Sequence, residues 1–203
     1  MMKTAEFGIV RREDGLWNYA KPDGTFLSTE WFKCVGDFSE GFAAVQRADG
    51  LWNFLKLDGT LLSAEWFEWV DSFSEGFAKV QRVDGLQNFL KPDGTLLSTE
   101  WFKYVWEFSE GFAEVQRVDG LWNFLKPDGT ILSTEWFERV DSFSEGFAEV
   151  QRVDGLQNFL KPDGTFLSTE WFEYVGDFYE GIVQVKRTNR KWCHLKADGT
   201  LTK

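Results

Sequence analysis

Residues 73–107 read FSEGFAKVQRVDGLQNFLKPDGTLLSTEWFKYVWE. Three short apolar runs are separated in this stretch by turn signals. Residues 76–82 suit a strand, Val83-Asp84-Gly85 a turn, and residues 86–91 a second strand. Pro92-Asp93-Gly94 is another turn, because proline presets φ while Asp and Gly tolerate the left-handed region. A third extended piece starts at 95–97. Ser98-Thr99-Glu100 then predicts a short helical or 3₁₀ turn through Trp101-Phe102, capped by Ser98. Runs this short, divided by Asp-Gly, predict antiparallel hairpins.

The pattern returns every 35 residues. Phe-Ser-Glu-Gly begins at Phe38, Phe73, Phe108 and Phe143, and Phe178-Tyr179-Glu180-Gly181 is a variant. Asp-Gly-Thr begins at Asp23, Asp58, Asp93, Asp128, Asp163 and Asp198, and Trp-Phe at Trp31, Trp66, Trp101, Trp136 and Trp171. The phase is unbroken, giving one repeat domain over 1–203 with units 3–37, 38–72, 73–107, 108–142, 143–177 and 178–203. One unit cannot bury its apolar face alone, whereas stacked units can. The predicted fold class is therefore all-β: tandem 35-residue hairpin repeats stacked as an open superhelix or solenoid, with a closed propeller-like ring as the alternative. The first unit lacks the Phe-Ser-Glu-Gly start. The last lacks the Trp-Phe tail and carries Thr188-Asn189-Arg190-Lys191 where Val153-Asp154-Gly155-Leu156 stood. Polar, atypical ends are expected of caps. A 70-residue period overlies the first in the series Trp17, Trp52, Gln87, Trp122 and Gln157. It reads as a duplicated pair of units or as alternating environments for successive units.

These motifs resemble the WG-repeat (KWG) family of bacterial β-repeats. The likeness lies in Phe38-Ser39-Glu40-Gly41-Phe42-Ala43-Ala44-Val45, in the hairpin Asp49-Gly50-Leu51-Trp52-Asn53-Phe54, and in the turn Lys56-Leu57-Asp58-Gly59-Thr60. It implies an interaction module. The chain departs from the family where a glycine usually follows the naming Trp: here stand Asn18, Asn53, Asn88, Asn123 and Asn158, and then Cys193. Asn shares glycine's tolerance of the left-handed region, which predicts a bulge in the second strand. The alternative is an Asn side-chain ladder between units. Cys193 fits neither, so a distorted last unit is expected.

Comparing the copies separates core from surface. The Val45, Val80, Val115, Val150 and Val185 series, the Phe42, Phe77, Phe112 and Phe147 series and the Trp31 series read as core. The Ala44, Lys79, Glu114, Glu149 and Gln184 series varies and is expected to face solvent. So does the series Cys34, Trp69, Tyr104, Arg139 and Tyr174, and the Trp52/Gln87 alternation suggests a half-exposed place. Trp69, Tyr104, nearby Trp106, Arg139 and Tyr174 are the candidate binding residues, since exposed amphipathic aromatics concentrate at binding hot spots. The opposing reading is packing between adjacent units.

Chemistry beyond binding finds little support. With 33 Asp and Glu against 22 Lys and Arg, the net charge is −11. That disfavours nucleic acid and anionic membrane surfaces and suits a protein partner with a basic face. The 21 Phe and 11 Trp exclude a disordered chain, and repeated aromatics leave glycan binding as an alternative. A passive spacer is the third reading. His194 is the single histidine, and beside Cys193 on a strand it points to the opposite face. No catalytic constellation, cofactor loop or metal cluster is legible, so no enzyme, cofactor or metal is expected. Residues 1–12 lack the apolar region of a signal peptide, which predicts a cytoplasmic chain or a piece of something longer. Cys34 and Cys193 are expected as free thiols.

Overall fold

The computed structural model describes residues 7–202, and these contain strands and turns but no helix. Residues 1–6 and Lys203, covering the start of the first unit, half of the N-terminal segment and the last residue, lie outside the described residues. The first hairpin is β1 (Gly8–Arg11) with β2 (Trp17–Ala20). Three-stranded antiparallel sheets follow: β3 (Cys34–Ser39), β4 (Phe42–Gln46) and β5 (Trp52–Lys56); β6 (Trp69–Val70), β7 (Ala78–Gln81) and β8 (Gln87–Leu90); β9 (Tyr104–Val105), β10 (Ala113–Gln116) and β11 (Trp122–Leu125). The last sheet is a seven-stranded meander of β12 (Arg139–Val140), β13 (Ala148–Gln151), β14 (Gln157–Leu160), β15 (Phe172–Val175), β16 (Ile182–Arg187), β17 (Trp192–Lys196) and β18 (Leu201–Thr202). The chain divides into two compact units, Met1–Trp101 and Phe102–Lys203.

Turn chemistry fixes each hairpin. In Phe-Ser-Glu-Gly both central residues are left-handed, with Glu75 at φ 52° and Gly76 at φ 83°, and Ser74 and Phe77 exchange backbone hydrogen bonds of 2.9 and 3.1 Å. That is the mirror-image turn whose twist matches the flanking strands. In Asp-Gly-Thr only the glycine is left-handed. The aspartate instead accepts hydrogen bonds from the backbone N–H and hydroxyl of the threonine, at 2.9 and 2.6 Å for Asp58 and Thr60. These bonds, hydroxyl first, hold the Asp58 carboxyl below its ordinary range. Gly94 has a second reason to be glycine: a Cβ there would lie 2.2 Å from the Leu62 carbonyl oxygen of the preceding unit.

In the first three repeats the core forms between one repeat's tail and the next hairpin. Tyr19, Leu27 and Phe32 pack on Ala43, Val45 and Leu55, while Phe54, Phe67 and Phe73 pack on Ala78, Val80 and Leu90. The Val45 series is fully buried, as its constancy predicted.

Five other expectations are corrected. The Asn series makes neither a left-handed bulge nor a ladder: none has positive φ, and all five are fully buried within their own units. Asn123 Nδ2 donates to the carbonyls of Ser133 and Glu135, both at 2.8 Å, and its Oδ1 accepts from the N–H groups of Phe124 and Ser133. The side chain thus stitches the hairpin to the loop that follows. That loop forms no helix, because Ser133 Oγ accepts the Glu135 N–H in a tight turn and Phe137 then pairs with Trp122 as extended chain.

The Trp31 series is only half-buried, and the buried residue is the Phe beside it. Each Trp carries an arginine from its own unit's first turn, with Arg47 4.2 Å above Trp66 and Arg117 4.2 Å above Trp136. Asp49 and Asp119 clamp those arginines. The Phe42 series is also half-buried, and Phe42, Phe112 and Phe147 stack on Phe73, Phe143 and Phe178 of the next unit at 4.3, 4.3 and 4.8 Å. The last unit is not distorted: β16 is longer than its counterparts and β17 as long as β5, with Cys193 buried and His194 exposed. Both cysteines are free thiols.

Candidate functional site

Strand pairing sorts each sheet's residues by face. Val80 pairs with Asn88 and Ala78 with Leu90, so these four share one face, and all are buried. On the other face Trp69 lies opposite Gln81, Gln81 opposite Gln87, and Lys79 opposite Phe89. Asp71 donates its N–H to the Lys79 carbonyl at 2.8 Å, which places it on the same face. Residues 69, 71, 79 and 87 all belong to series that differ among the copies.

The same four places recur along the sheets that follow the first hairpin. Cys34, Gly36, Ala44 and Trp52 occupy them on the β3–β5 sheet, and Tyr104, Trp106, Glu114 and Trp122 on the β9–β11 sheet. Arg139, Asp141, Glu149 and Gln157 follow, and then Tyr174, Gly176, Gln184 and Trp192. One backbone frame therefore displays five different chemical sets. Phe54, Phe124 and Phe159 at the inner edge of this face are covered by Phe73, Phe143 and Phe178 of the next unit, while the strand carrying Trp69 or Tyr104 opens to solvent.

Contacts within the sets confirm the adjacency. Arg139 Nη2 lies 3.0 Å from Asp141 Oδ2 and 2.8 Å from Glu149 Oε1, and Gln157 Nε2 donates to the same Glu149 oxygen at 3.0 Å. Burial raises the Glu149 carboxyl above its ordinary range, and the attraction of Arg139 only partly offsets this. Lys79 lies 5.7 Å from the Trp69 ring centre, and Tyr174 and Trp192 meet edge to face at 5.7 Å.

All five candidate residues from the sequence fall on this face. Trp69, Tyr104, Arg139 and Tyr174 are equivalent, and the three aromatics are 39%, 49% and 48% exposed. Trp106, at 61%, shares a sheet with Tyr104. Of the Ala44 series, Ala44, Lys79, Glu114 and Glu149 join them half-buried rather than facing solvent, while Gln184 is exposed as expected. The Gly36, Asp71, Trp106, Asp141 and Gly176 series was missed as a column. Its signal was available, since it runs through Gly, Asp and Trp among the copies.

A pocket opens where this face meets the following unit. Beside Trp106 it encloses about 370 Å³ between Glu107, Ser109, Phe112, Glu114, Phe124, Ser142 and Phe143. At the equivalent place one unit later it encloses about 170 Å³, and Asp141, Glu149 and Asp177 stand for Trp106, Glu114 and Ser142. Among the described residues no group of three or more His, Cys, Asp or Glu could hold a metal ion.

The family of the WG-containing repeat matches residues 32–52 and 102–122. Each matched segment runs from the tail Phe to the hairpin Trp and spans one complete variable set, and the resemblance to WG-repeat proteins holds there. No curated protein matches the chain. Among solved structures, the chain is similar to the computationally designed Ika8 protein at 16% identity, covering 100% of this chain and 72% of that one, with a TM-score of 0.38. It is also similar to the WD40 β-propeller domain of Doa1 at 16% identity, covering 97% and 77%, with a TM-score of 0.33. BamB from Moraxella catarrhalis matches at 10% identity over 98% and 72%, with a TM-score of 0.34.

Proposed function

We propose that the chain is a non-catalytic repeat scaffold that binds a protein partner through the variable face. The observation carrying this reading is that the chemically divergent positions gather on one face of each sheet while the other face stays constant. Drift on a purely structural repeat would scatter over all exposed places, including the hairpin turns. Here Arg-x-Asp-Gly and Asp-Gly-Thr turns are repeated almost unchanged although they are exposed. The partner has a basic surface, in keeping with the net charge of −11.

The test uses residues the frame already accepts elsewhere. Tyr104→Arg with Trp106→Asp reproduces the Arg139 and Asp141 pair on the β9–β11 sheet and should leave the melting temperature within a few degrees. A protein captured by the natural chain and lost by this variant supports the reading. Equal capture by both, or by neither, opposes it. Glycan binding is the second reading, favoured by the exposed Tyr174–Trp192 pair beside Gln184. Tryptophan fluorescence unmoved across a glycan panel would exclude it.

A further inference from the structure

We infer that the pocket beside Trp106 receives the guanidinium of an arginine on the protein partner. This deepens the function proposed above and rests on it. On the β12–β14 sheet the half-buried Glu149 is neutralised internally, by Arg139 at 2.8 Å. On the β6–β8 sheet Lys79 lies 5.7 Å from the Trp69 ring. On the β9–β11 sheet Glu114 keeps the place of Glu149, but Tyr104 replaces the arginine and Trp106 replaces the aspartate.

The carboxylate is retained there and the internal cation is gone. Glu114 Oε1 accepts a 2.6 Å hydrogen bond from the Ser142 hydroxyl, and no Lys or Arg among the described residues pairs with it. Lys103, the nearest cation in sequence, lies over the Tyr104 ring at 5.4 Å. The walls are aromatic: Phe112 stacks on Phe143 at 4.3 Å, Phe124 meets Phe143 edge to face at 5.0 Å, and Trp106 offers an open indole. An indole face next to a fixed carboxylate suits a planar cation, which stacks and donates charge-assisted hydrogen bonds together. Guanidinium is preferred to ammonium because the equivalent carboxylate, Glu149, takes an arginine as its partner.

The probe is ethylguanidinium, followed by the Trp106 indole N–H signal in a nitrogen–proton correlation spectrum of the full chain. Trp106→Phe assigns that signal. A saturable shift is expected, with a dissociation constant on the order of 10 mM, as befits one cation contact. It should weaken about five-fold or more in Glu114→Gln, a change the frame tolerates because Gln184 occupies the corresponding place. Ethylurea and butylammonium should shift the signal less. No saturable shift, an undiminished one in Glu114→Gln, or an equal response to ethylurea or butylammonium would overturn the assignment. Loss of partner capture in the Tyr104→Arg, Trp106→Asp variant without a guanidinium response removes this inference alone. A guanidinium response without any partner capture removes the broader reading.

Discussion

The two faces of the β12–β14 sheet share one backbone and obey different rules. Val140, Ala148, Val150, Asn158 and Leu160 lie on the closed face, buried and nearly identical in every copy. Arg139, Asp141, Glu149 and Gln157 lie on the other, linked by hydrogen bonds and replaced in part or in whole at the equivalent places of the other units. A close-packed face leaves each residue one acceptable volume and one set of hydrogen-bond partners. A half-open face lets water complete whatever pairing a new side chain lacks. Constancy and variation in this chain therefore report packing, and the frame can carry new surfaces without new folds.

Breaking the closed face should cost the most. Asn123→Leu removes the partner of two buried N–H groups and two carbonyls, and about 3–5 kcal/mol of stability should go with it, read by urea unfolding. A loss under about 1 kcal/mol would mean that the stitch is not structural. Next come the turns that bind one unit to another. Gly24 and Gly94 share a left-handed φ, but a Cβ at Gly24 meets nothing within 4 Å. Gly24→Ala should cost about 1 kcal/mol for the backbone alone, and Gly94→Ala about 2–3 kcal/mol because the Leu62 carbonyl must also move. Equal costs would show that the units do not press on each other there.

The open face should respond least, and chiefly to pH. Glu149 holds its proton to higher pH in the folded chain than in the unfolded one. Its contribution is therefore complete below the unfolded-state pKa and fades as pH rises through the raised folded-state value. Melting temperatures should show Glu149→Gln gaining on the natural chain over that rise and running parallel to it at lower pH. Arg139→Tyr, which removes the cation that lowers the Glu149 value, should make the natural decline steeper. A flat or reversed difference would contradict the burial of this carboxylate.

Much of the frame was legible because turns are local. Asp-Gly-Thr and Phe-Ser-Glu-Gly set their own backbone geometry, and the spacing between them leaves room only for short strands. The misreadings share a cause. The Trp31 series is constant because each ring supports an arginine, not because it is enclosed, and a column of identical letters does not distinguish the two. The Asn series bonds to carbonyls ten and twelve residues along the chain, as Asn18 does to Ser28 and Glu30. Backbone acceptors carry no side-chain identity, so sequence offers no trace of that pairing. The Ser-Thr-Glu segment has the letters of a helix start, but strand pairing by the Phe that follows outweighs a local preference.

The order of residues was enough to fix the 35-residue repeat, the hairpins, their turns and the buried Val series, since each follows from contacts within a few residues or from an alternation of two. Folding decided which variable positions are neighbours. Residues 139, 141, 149 and 157 become one hydrogen-bonded group only when three antiparallel strands pair in one register. That register is set by the apolar residues on the opposite face, because a slip of one residue would expose them to water.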